Sequence, residues 1–157
     1  MRLTHKEIRI SAPVERVFEF ITTPQNLPSV WPSMLDVTNI LRAADGTNSF
    51  DWTYKMAGMP FKGHSRTIEL EPNARIVIHN ERGIQSTFRW MFERKGVDTL
   101  LSVDVEYKIP APLLGKLAEV LVAKINEHEL DTLFANIKAM LELSPAKDAG
   151  KQANAHP

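Results

Sequence analysis

The sequence passes from a strand to a helix within residues 8–21, which read IRISAPVERVFEFI. Alternating and β-branched residues over 3–11 are typical of a strand. Pro13 suits the first turn of a helix, because the N–H that proline lacks has no intrahelical partner there. Four apolar residues then recur at helical spacing: Val14, Val17, Phe18 and Ile21. The segment therefore predicts a first strand that leads directly into a short amphipathic helix.

Beyond this helix the chain contains a proline-rich connection and a series of strands. Three prolines within residues 24–32 exclude a long regular helix, so we expect one short helical turn there. Short turn signals such as Asp45-Gly46 separate the strands and indicate antiparallel neighbours. The predicted strands cover residues 35–44, 49–57, 61–71, 75–81, 84–94 and 98–109.

Alternation along these strands predicts a sheet with one buried face. An antiparallel sheet that is covered on one side shows this pattern. Residues 112–143 are predicted to form one long helix that covers the buried face and ends at Ser144-Pro145. We therefore predict a single domain over residues 1–143. Residues 144–157 lack apolar periodicity and are predicted to be a disordered tail.

The composition excludes several classes of function. The formal net charge is zero, with 19 basic and 19 acidic residues, so nucleic acid is not expected as a partner. Cysteine is absent, and the five histidines have no metal-ligand spacing, so we expect neither a metal nor another cofactor. The charged N-terminus differs from a signal peptide, and no apolar run approaches the roughly 20 residues that cross a bilayer. The expected location is the cytoplasm.

Particular residues resemble the SRPBCC superfamily, whose members share the helix-grip fold. The segment Ile8-Arg9-Ile10-Ser11-Ala12-Pro13-Val14-Glu15-Arg16-Val17-Phe18-Glu19-Phe20-Ile21 resembles its "I-x-A-P-x-E-x-V-F/W" start. Further similarities are Trp31-Pro32, the turn over residues 69–75 and the closing helix over residues 126–141. The superfamily includes START-related lipid-binding domains, the birch-pollen-allergen family and the bacterial polyketide cyclase/dehydrase group.

This resemblance covers residues 3–143 and carries expectations about fold and function. It implies an α+β domain in which a curved antiparallel sheet of about seven strands wraps around a long C-terminal helix. Two short helices are expected between the first and second strands. It also implies a cavity between sheet and helix that binds lipids, steroids, quinones or aromatic polyketides, and that in some members catalyses a reaction.

Candidate ligand-binding residues come from the predicted inward faces of the strands and the long helix. Strand alternation supplies the aromatic residues of the strands, and the Trp31-Pro32 match supplies Trp31. Parity with Ile68 and Leu70 supplies the basic residues in 61–71, and helical spacing supplies those of the long helix. The candidates are Trp31, Trp52, Tyr54, His64, Arg66, Phe88, Trp90, Tyr107, Leu117, Leu121, Ile125 and His128. For proton transfer, the candidates are His128, Arg66 and Tyr54. The alternatives are that the aromatic residues are simple core and that Arg66 is solvated or paired with a glutamate.

Three functions stay open at this stage. The first is binding or carriage of a hydrophobic small molecule, such as a lipid, a quinone or an aromatic polyketide-like compound. The second is a cyclase, dehydratase or hydrolase. Such an enzyme would work without a metal or nucleotide cofactor, because the sequence lacks the common metal-binding and nucleotide-binding motifs. The third is an interaction module. Residues 113–122 are apolar nearly all round, which indicates either burial beneath the 24–32 and 56–61 loops or, for the third function, transient membrane contact or a second subunit. The protein is expected to be a monomer or a homodimer.

Overall fold

The computed structural model describes the backbone of residues 2–155 and the side chains of residues 2–115 and 119–143. The strands are β1 (Arg2–Ile10), β2 (Met34–Arg42), β3 (Asn48–Met56), β4 (Met59–Glu71), β5 (Arg75–Glu81), β6 (Ser86–Lys95) and β7 (Asp98–Tyr107). The helices are α1 (Val14–Ile21), α2 (Leu27–Val30) and α3 (Lys116–Ala155), with 3₁₀ turns at Pro24–Asn26 and Ala111–Leu113.

The seven strands form one antiparallel sheet in the order β1-β7-β6-β5-β4-β3-β2. Strands β2 to β7 pair consecutively, and β1 closes against β7 with Arg2 opposite Tyr107. Helix α1 packs on β6 and β7, while α3 packs on β1 and α2. The predicted α+β helix-grip fold, with two short helices between the first two strands, is therefore confirmed.

The core lies between the concave face of the sheet and the inner faces of α1 and α3. In β7, buried and half-buried residues alternate without a break, as the sequence pattern predicted. The apolar side chains that are most completely buried come from β1, α1, α2, β5, β7 and α3: Ile10, Val14, Val17, Val30, Ile76, Val77, Leu101, Val103, Val122, Leu133 and Ile137. Burial of such side chains is the main stabilising contribution to a domain of this size.

A buried threonine fixes the corner at which β1 passes into α1. Thr99 is fully buried opposite Ile10, and its Oγ1 donates a hydrogen bond of 2.8 Å to the carbonyl oxygen of Ala12. Because a carbonyl in this position has no access to water, it depends on this donor. The hydrogen bond holds the strand end and the helix start in register.

Replacing Thr99 by valine is expected to lower the free energy of unfolding by about 1–2 kcal/mol, because the shape is kept while the carbonyl loses its donor. Urea unfolding followed by circular dichroism measures this difference. Thr132→Val is the matched control, since the Thr132 hydroxyl bonds the His128 carbonyl on an exposed part of α3. Equal losses in the two variants would contradict a special role for the corner.

The long helix begins later than the sequence predicted. The predicted start at residue 112 is wrong, because Ala111–Leu113 form a 3₁₀ turn and Leu114 is extended with ψ of 139°. Gly115 then has φ of +145°, which an L-residue with a side chain rarely adopts. The helix can begin only after this glycine, at Lys116.

The far end of α3 also differs from the prediction. Helical backbone continues to Ala155, past Ser144-Pro145, where the sequence predicted an end. The residues after Pro145 include several strong helix formers, which favour continuation once the loss of one N–H is tolerated. Side chains from Ser144 onward lie outside the described residues. The domain limit at residue 143 and the disorder of residues 144–157 stay predictions.

A β-bulge in β4 decides which residues of that strand face the helix. Pairing with β5 shifts between Thr67 and Glu69, so Ile68 is the inserted residue, and it is 47% exposed. An insertion of one residue reverses the alternation on its far side. Ser65 and Thr67 are therefore buried on the inner face. The strand thus presents hydroxyl groups, instead of basic side chains, to the interior.

Candidate functional site

A cavity of about 100 Å³ lies between the concave face of the sheet, the α1–β2 connection and α3. Its walls are mostly apolar side chains from β3, β5, β6 and β7. All three tryptophans of the protein line it, together with further rings from the strands. The aromatic lining residues are Trp31, Phe50, Trp52, Tyr54, Phe88, Trp90 and Tyr107.

Trp31 links two separate parts of the sheet across this cavity. Its ring centroid lies 5.5 Å from that of Tyr54 on β3 and 5.5 Å from that of Phe88 on β6, both edge-on. The Phe88 ring centroid lies 6.4 Å from that of Trp90, and the Trp90 centroid lies 5.8 Å from that of Phe134 on α3. Edge-to-face and offset contacts of this kind hold rings in defined orientations. The aromatic wall is therefore ordered by its own contacts.

A row of polar side chains crosses the sheet beneath the cavity. Ser65 donates to Oδ1 of Asn80, and Nδ2 of Asn80 donates to Oγ of Ser86 at 2.8 Å. All three residues line the cavity and are buried. Because they satisfy one another, they add polarity to the floor without leaving an unpaired donor. Sequence reasoning missed this row, although Asn80 shares strand parity with Ile76 and Ile78.

A carboxylate from α3 enters the cavity beside the aromatic wall. Ser33 donates a hydrogen bond to Oε1 of Glu129, while Oε2 is buried and has no hydrogen-bond partner in the described part of the chain. The indole N–H groups of Trp31 and Trp52 are likewise buried and unpaired there. Each such group costs about 1–3 kcal/mol when it stays unsatisfied. The cavity therefore presents one free acceptor and two free donors.

Tyr54 lies beside this carboxylate and stays neutral. Burial raises the pKa of Tyr54 well above its ordinary value, and the negative charge of Glu129 raises it further. The Trp31 N–H and the Ser33 hydroxyl lie near the phenol and act in the opposite direction with a smaller effect. The Trp31 N–H does not meet hydrogen-bond geometry with the Tyr54 oxygen, so it still counts as unpaired among the described residues. Ionisation of the phenol would place a second negative charge in the same corner. Its hydroxyl therefore remains protonated at neutral pH.

The structure brings six of the predicted site residues together. They come from the α2–β2 connection and from β3, β6 and β7, and all of them line the cavity: Trp31, Trp52, Tyr54, Phe88, Trp90 and Tyr107. Strand alternation was sufficient to orient the five that lie on strands, because β3, β6 and β7 carry no bulge at these positions. Their participation in ligand binding stays a prediction.

The predicted inward orientation of His64 and Arg66 is wrong. His64 Nδ1 lies 2.7 Å from Asp51 Oδ1, and Arg66 Nη2 donates to Glu81 Oε1 at 2.9 Å, both outside the cavity lining. The β4 bulge explains the error. The prediction assumed unbroken alternation between Leu70 and His64, but the inserted Ile68 reverses the alternation between them. Hydrogen bonds from Asn39 and then His64 hold the pKa of Asp51 below its ordinary value.

The face of α3 that meets the cavity also differs from the predicted one. Leu121 is 56% exposed, His128 is exposed, and Ile125 is half-buried outside the lining. The side chain of Leu117 lies outside the described residues. The inward residues are those that continue the buried stripe of the second half of the helix: Val122, Asn126, Glu129, Leu130, Leu133 and Ile137. The signal for Glu129 was its position four residues before Leu133.

The first part of α3 and the extended residue Leu114 just before it expose an apolar surface. Leu114, Val120 and Leu121 are each more than half exposed. An exposed apolar surface at this position is what the interaction-module hypothesis requires. What covers the surface stays open. No helix within residues 2–155 combines the length and apolar character needed to cross a membrane. Nor do the described side chains group three or more histidines and carboxylates around a possible metal position.

A curved antiparallel sheet that holds a long helix over an aromatic cavity defines the helix-grip class of proteins. Within this class, the chain belongs to the family described as "Polyketide cyclase / dehydrase and lipid transport", whose family model matches residues 1–142. The SRPBCC membership that the sequence predicted is therefore confirmed. A search of the curated proteins found no match.

Solved structures share the fold at low sequence identity. TTHA0849 from Thermus thermophilus has a TM-score of 0.79 and 17% identity, covering 92% of this chain and 99% of its own. A START superfamily protein from Mycobacterium smegmatis has a TM-score of 0.75 and 18% identity, with coverage of 90% and 97%. The Zhui aromatase/cyclase from Streptomyces sp. R1128 has a TM-score of 0.68 and 16% identity, with coverage of 92% and 98%.

Proposed function

We propose that this protein binds, and by binding carries, a small and mostly apolar molecule in the cavity between the sheet and α3. The observation that carries the proposal is the cavity itself, with seven aromatic residues in its lining. Ligand sites in proteins are typically concave and apolar with a few placed polar groups, which is the composition found here. The family description, which includes lipid transport, supports the same conclusion.

The volume of the cavity favours a compact ligand. About 100 Å³ is of the same order as the roughly 150 Å³ of an engineered apolar cavity that takes benzene, and far below the roughly 300 Å³ at which drug-sized sites begin. Of the ligands that the sequence suggested, a ring of the size found in a simple quinone or aromatic compound fits better than a long acyl chain. The natural ligand is therefore expected to place one ring in this space.

Binding can be followed through the tryptophans, because Trp31, Trp52 and Trp90 all line the cavity. Native mass spectrometry of the purified protein is expected to reveal a bound apolar compound. Titration with toluene is expected to change the tryptophan fluorescence saturably. Absence of any copurified compound, together with absence of a saturable response to toluene, would refute the proposal.

A matched pair of variants tests whether toluene binds in the cavity. Ile78 lines the cavity on β5, whereas Ile68 is the exposed residue of the β4 bulge. We expect Ile78→Phe to fill the space and weaken toluene binding by about tenfold or more. Ile68→Phe adds the same atoms outside the cavity and is expected to leave the affinity unchanged. Equal behaviour of the two variants would mean that toluene binds elsewhere.

The free oxygen of Glu129 favours a second candidate, proton transfer in a cyclase or dehydratase reaction. A half-buried carboxylate whose free oxygen is buried beside a ligand has the reach and the free lone pair that a general base requires. Of the catalytic residues predicted from the sequence, only Tyr54 lies at the cavity. The aromatase/cyclase among the structural neighbours is consistent with such chemistry. Turnover of an aromatic precursor that disappears in Glu129→Gln while ligand binding persists would favour the enzyme.

A further inference from the structure

Three unpaired polar groups surround a single cavity in an otherwise well-satisfied interior. They are Glu129 Oε2, Trp31 Nε1 and Trp52 Nε1, and within the described residues they are the buried side-chain atoms that lack a hydrogen-bond partner. Buried polar groups in native proteins are normally paired, so an exception points to water or a ligand that completes the pairing. Because all three residues line the same space, one occupant can satisfy them together.

Two of these groups belong to one corner of the cavity. The Trp31 ring centroid lies 5.5 Å from that of Tyr54, and the Ser33 carbonyl accepts from the N–H of Lys55, the residue after Tyr54. Ser33 Oγ in turn donates to Glu129, whose negative charge raises the pKa of Tyr54. An incoming hydroxyl group donates through its hydrogen and accepts through its oxygen. A single hydroxyl in this corner can therefore donate to Glu129 and accept from the Trp31 indole. Trp52 lies two residues before Tyr54 on the same face of β3 and offers a donor to a second oxygen.

The described lining of the cavity carries a negative charge and no positive one. Its ionisable lining residues are Glu129, Tyr54 and Tyr107, and none of the described lining residues is lysine, arginine or histidine. No ion pair to Glu129 is found among the described side chains. Arg66, the predicted anchor for an acidic ligand, pairs with Glu81 on the outside of the sheet. An anionic ligand in this space would meet a carboxylate at low dielectric without a compensating cation.

We propose that the cavity selects its ligand by a neutral hydroxyl group that donates to Glu129, and that it rejects carboxylates, including free fatty acids and aromatic acids. This inference rests on the proposed ligand-binding function and specifies the chemical class of the ligand. Glu129 is a binding residue in this proposal, and the selectivity arises because the same carboxylate attracts a donor and repels an anion. The class is a hydroxylated ring compound of about one ring in size.

Three probes that share one ring test the selectivity: phenol, toluene and benzoate. Phenol and toluene have nearly the same shape, so their difference isolates the hydroxyl, while benzoate adds a negative charge. We expect phenol to bind about tenfold or more tightly than toluene, and benzoate to bind about tenfold or more weakly than toluene. Titration calorimetry or ligand-observed NMR gives the three dissociation constants. Benzoate that binds as tightly as phenol would overturn the inference.

Glu129→Gln keeps the shape of the side chain and removes its charge. In this variant we expect the preference for phenol over toluene to fall to about threefold or less, and the discrimination against benzoate to shrink by about tenfold. Glu127→Gln is the matched control, because Glu127 is an exposed carboxylate on the same helix. The control is expected to keep the wild-type ranking. An unchanged ranking in Glu129→Gln would overturn the assignment to this residue.

The toluene measurement separates the two proposals. Toluene needs only the apolar cavity, so its saturable binding supports the ligand-binding function whatever the ranking of the other probes. If toluene binds and the ranking fails, the hydroxyl selectivity alone is refuted. If none of the three probes binds, the ligand-binding function and the selectivity that rests on it are refuted together.

Discussion

Replacing Leu133 with alanine is expected to lower the free energy of unfolding by about 3–4 kcal/mol, because the change leaves a hole in a rigid part of the core. Leu133 is fully buried on the inner face of α3, one turn from Glu129. The surrounding residues belong to strands and helices whose backbones cannot collapse into the vacated space. Urea unfolding monitored by tryptophan fluorescence and circular dichroism measures the loss.

Leu143→Ala provides the control for this prediction. Leu143 lies on the same helix and is 71% exposed, so its truncation is expected to cost less than about 0.5 kcal/mol. The pair differs in burial and not in chemistry or helix propensity. Similar losses in both variants would show that the helix does not pack on the sheet in the described orientation.

Gly63→Ala is expected to destabilise the protein by about 2–3 kcal/mol and to disturb the cavity, because overpacking a closely fitted site forces its neighbours to move. Gly63 pairs directly with Trp52 across β3 and β4. A Cβ added at Gly63 would lie 2.6 Å from Trp52 Cε2 and nearer still to Cζ2. The indole lies over the glycine, so one added methyl group forces the ring to leave its position.

A double-mutant cycle identifies the ring as the origin of this strain. In a Trp52→Phe background, Gly63→Ala is expected to cost less than about 1 kcal/mol, since the smaller ring leaves room for the methyl group. Denaturant unfolding of the four proteins gives the coupling energy. Toluene titration of Gly63→Ala alone is expected to show weakened binding. A cost that is unchanged in the phenylalanine background would assign the strain to the backbone of β4 instead.

The sheet and its aromatic wall could be predicted from the sequence because their signals are local. Period-two alternation in β3, β6 and β7 fixes the inward residues, and glycine-containing turns fix the meander. The resemblance to a known superfamily, carried by residues 8–21 and three further segments, then added the cavity between sheet and helix. Regular elements with consistent patterns are the parts of a fold that sequence reasoning reaches.

The polar part of the site could not be predicted because its residues depart from those patterns. The β4 bulge has no strong sequence signal, yet it decides that Ser65 and not His64 faces the interior. On α3, the exposed Leu121 and the inward Glu129 reverse the usual preference for apolar residues inside. Departures of this kind are expected where a protein binds a ligand, since a carboxylate is placed there at a cost in stability.

The pairing of the first strand with the last has a consequence for how the chain reaches its structure. Arg2 of β1 pairs with Tyr107 at the end of β7, which is the last strand in the sequence. The partner of β1 is therefore synthesised only after all the other strands. Until β7 has been synthesised, β1 has no strand with which it can pair. Closing contacts over such long chain separations slows folding, because loop entropy is lost before the pairing energy is gained. Refolding is therefore expected to take milliseconds to seconds, as in proteins dominated by non-local pairing.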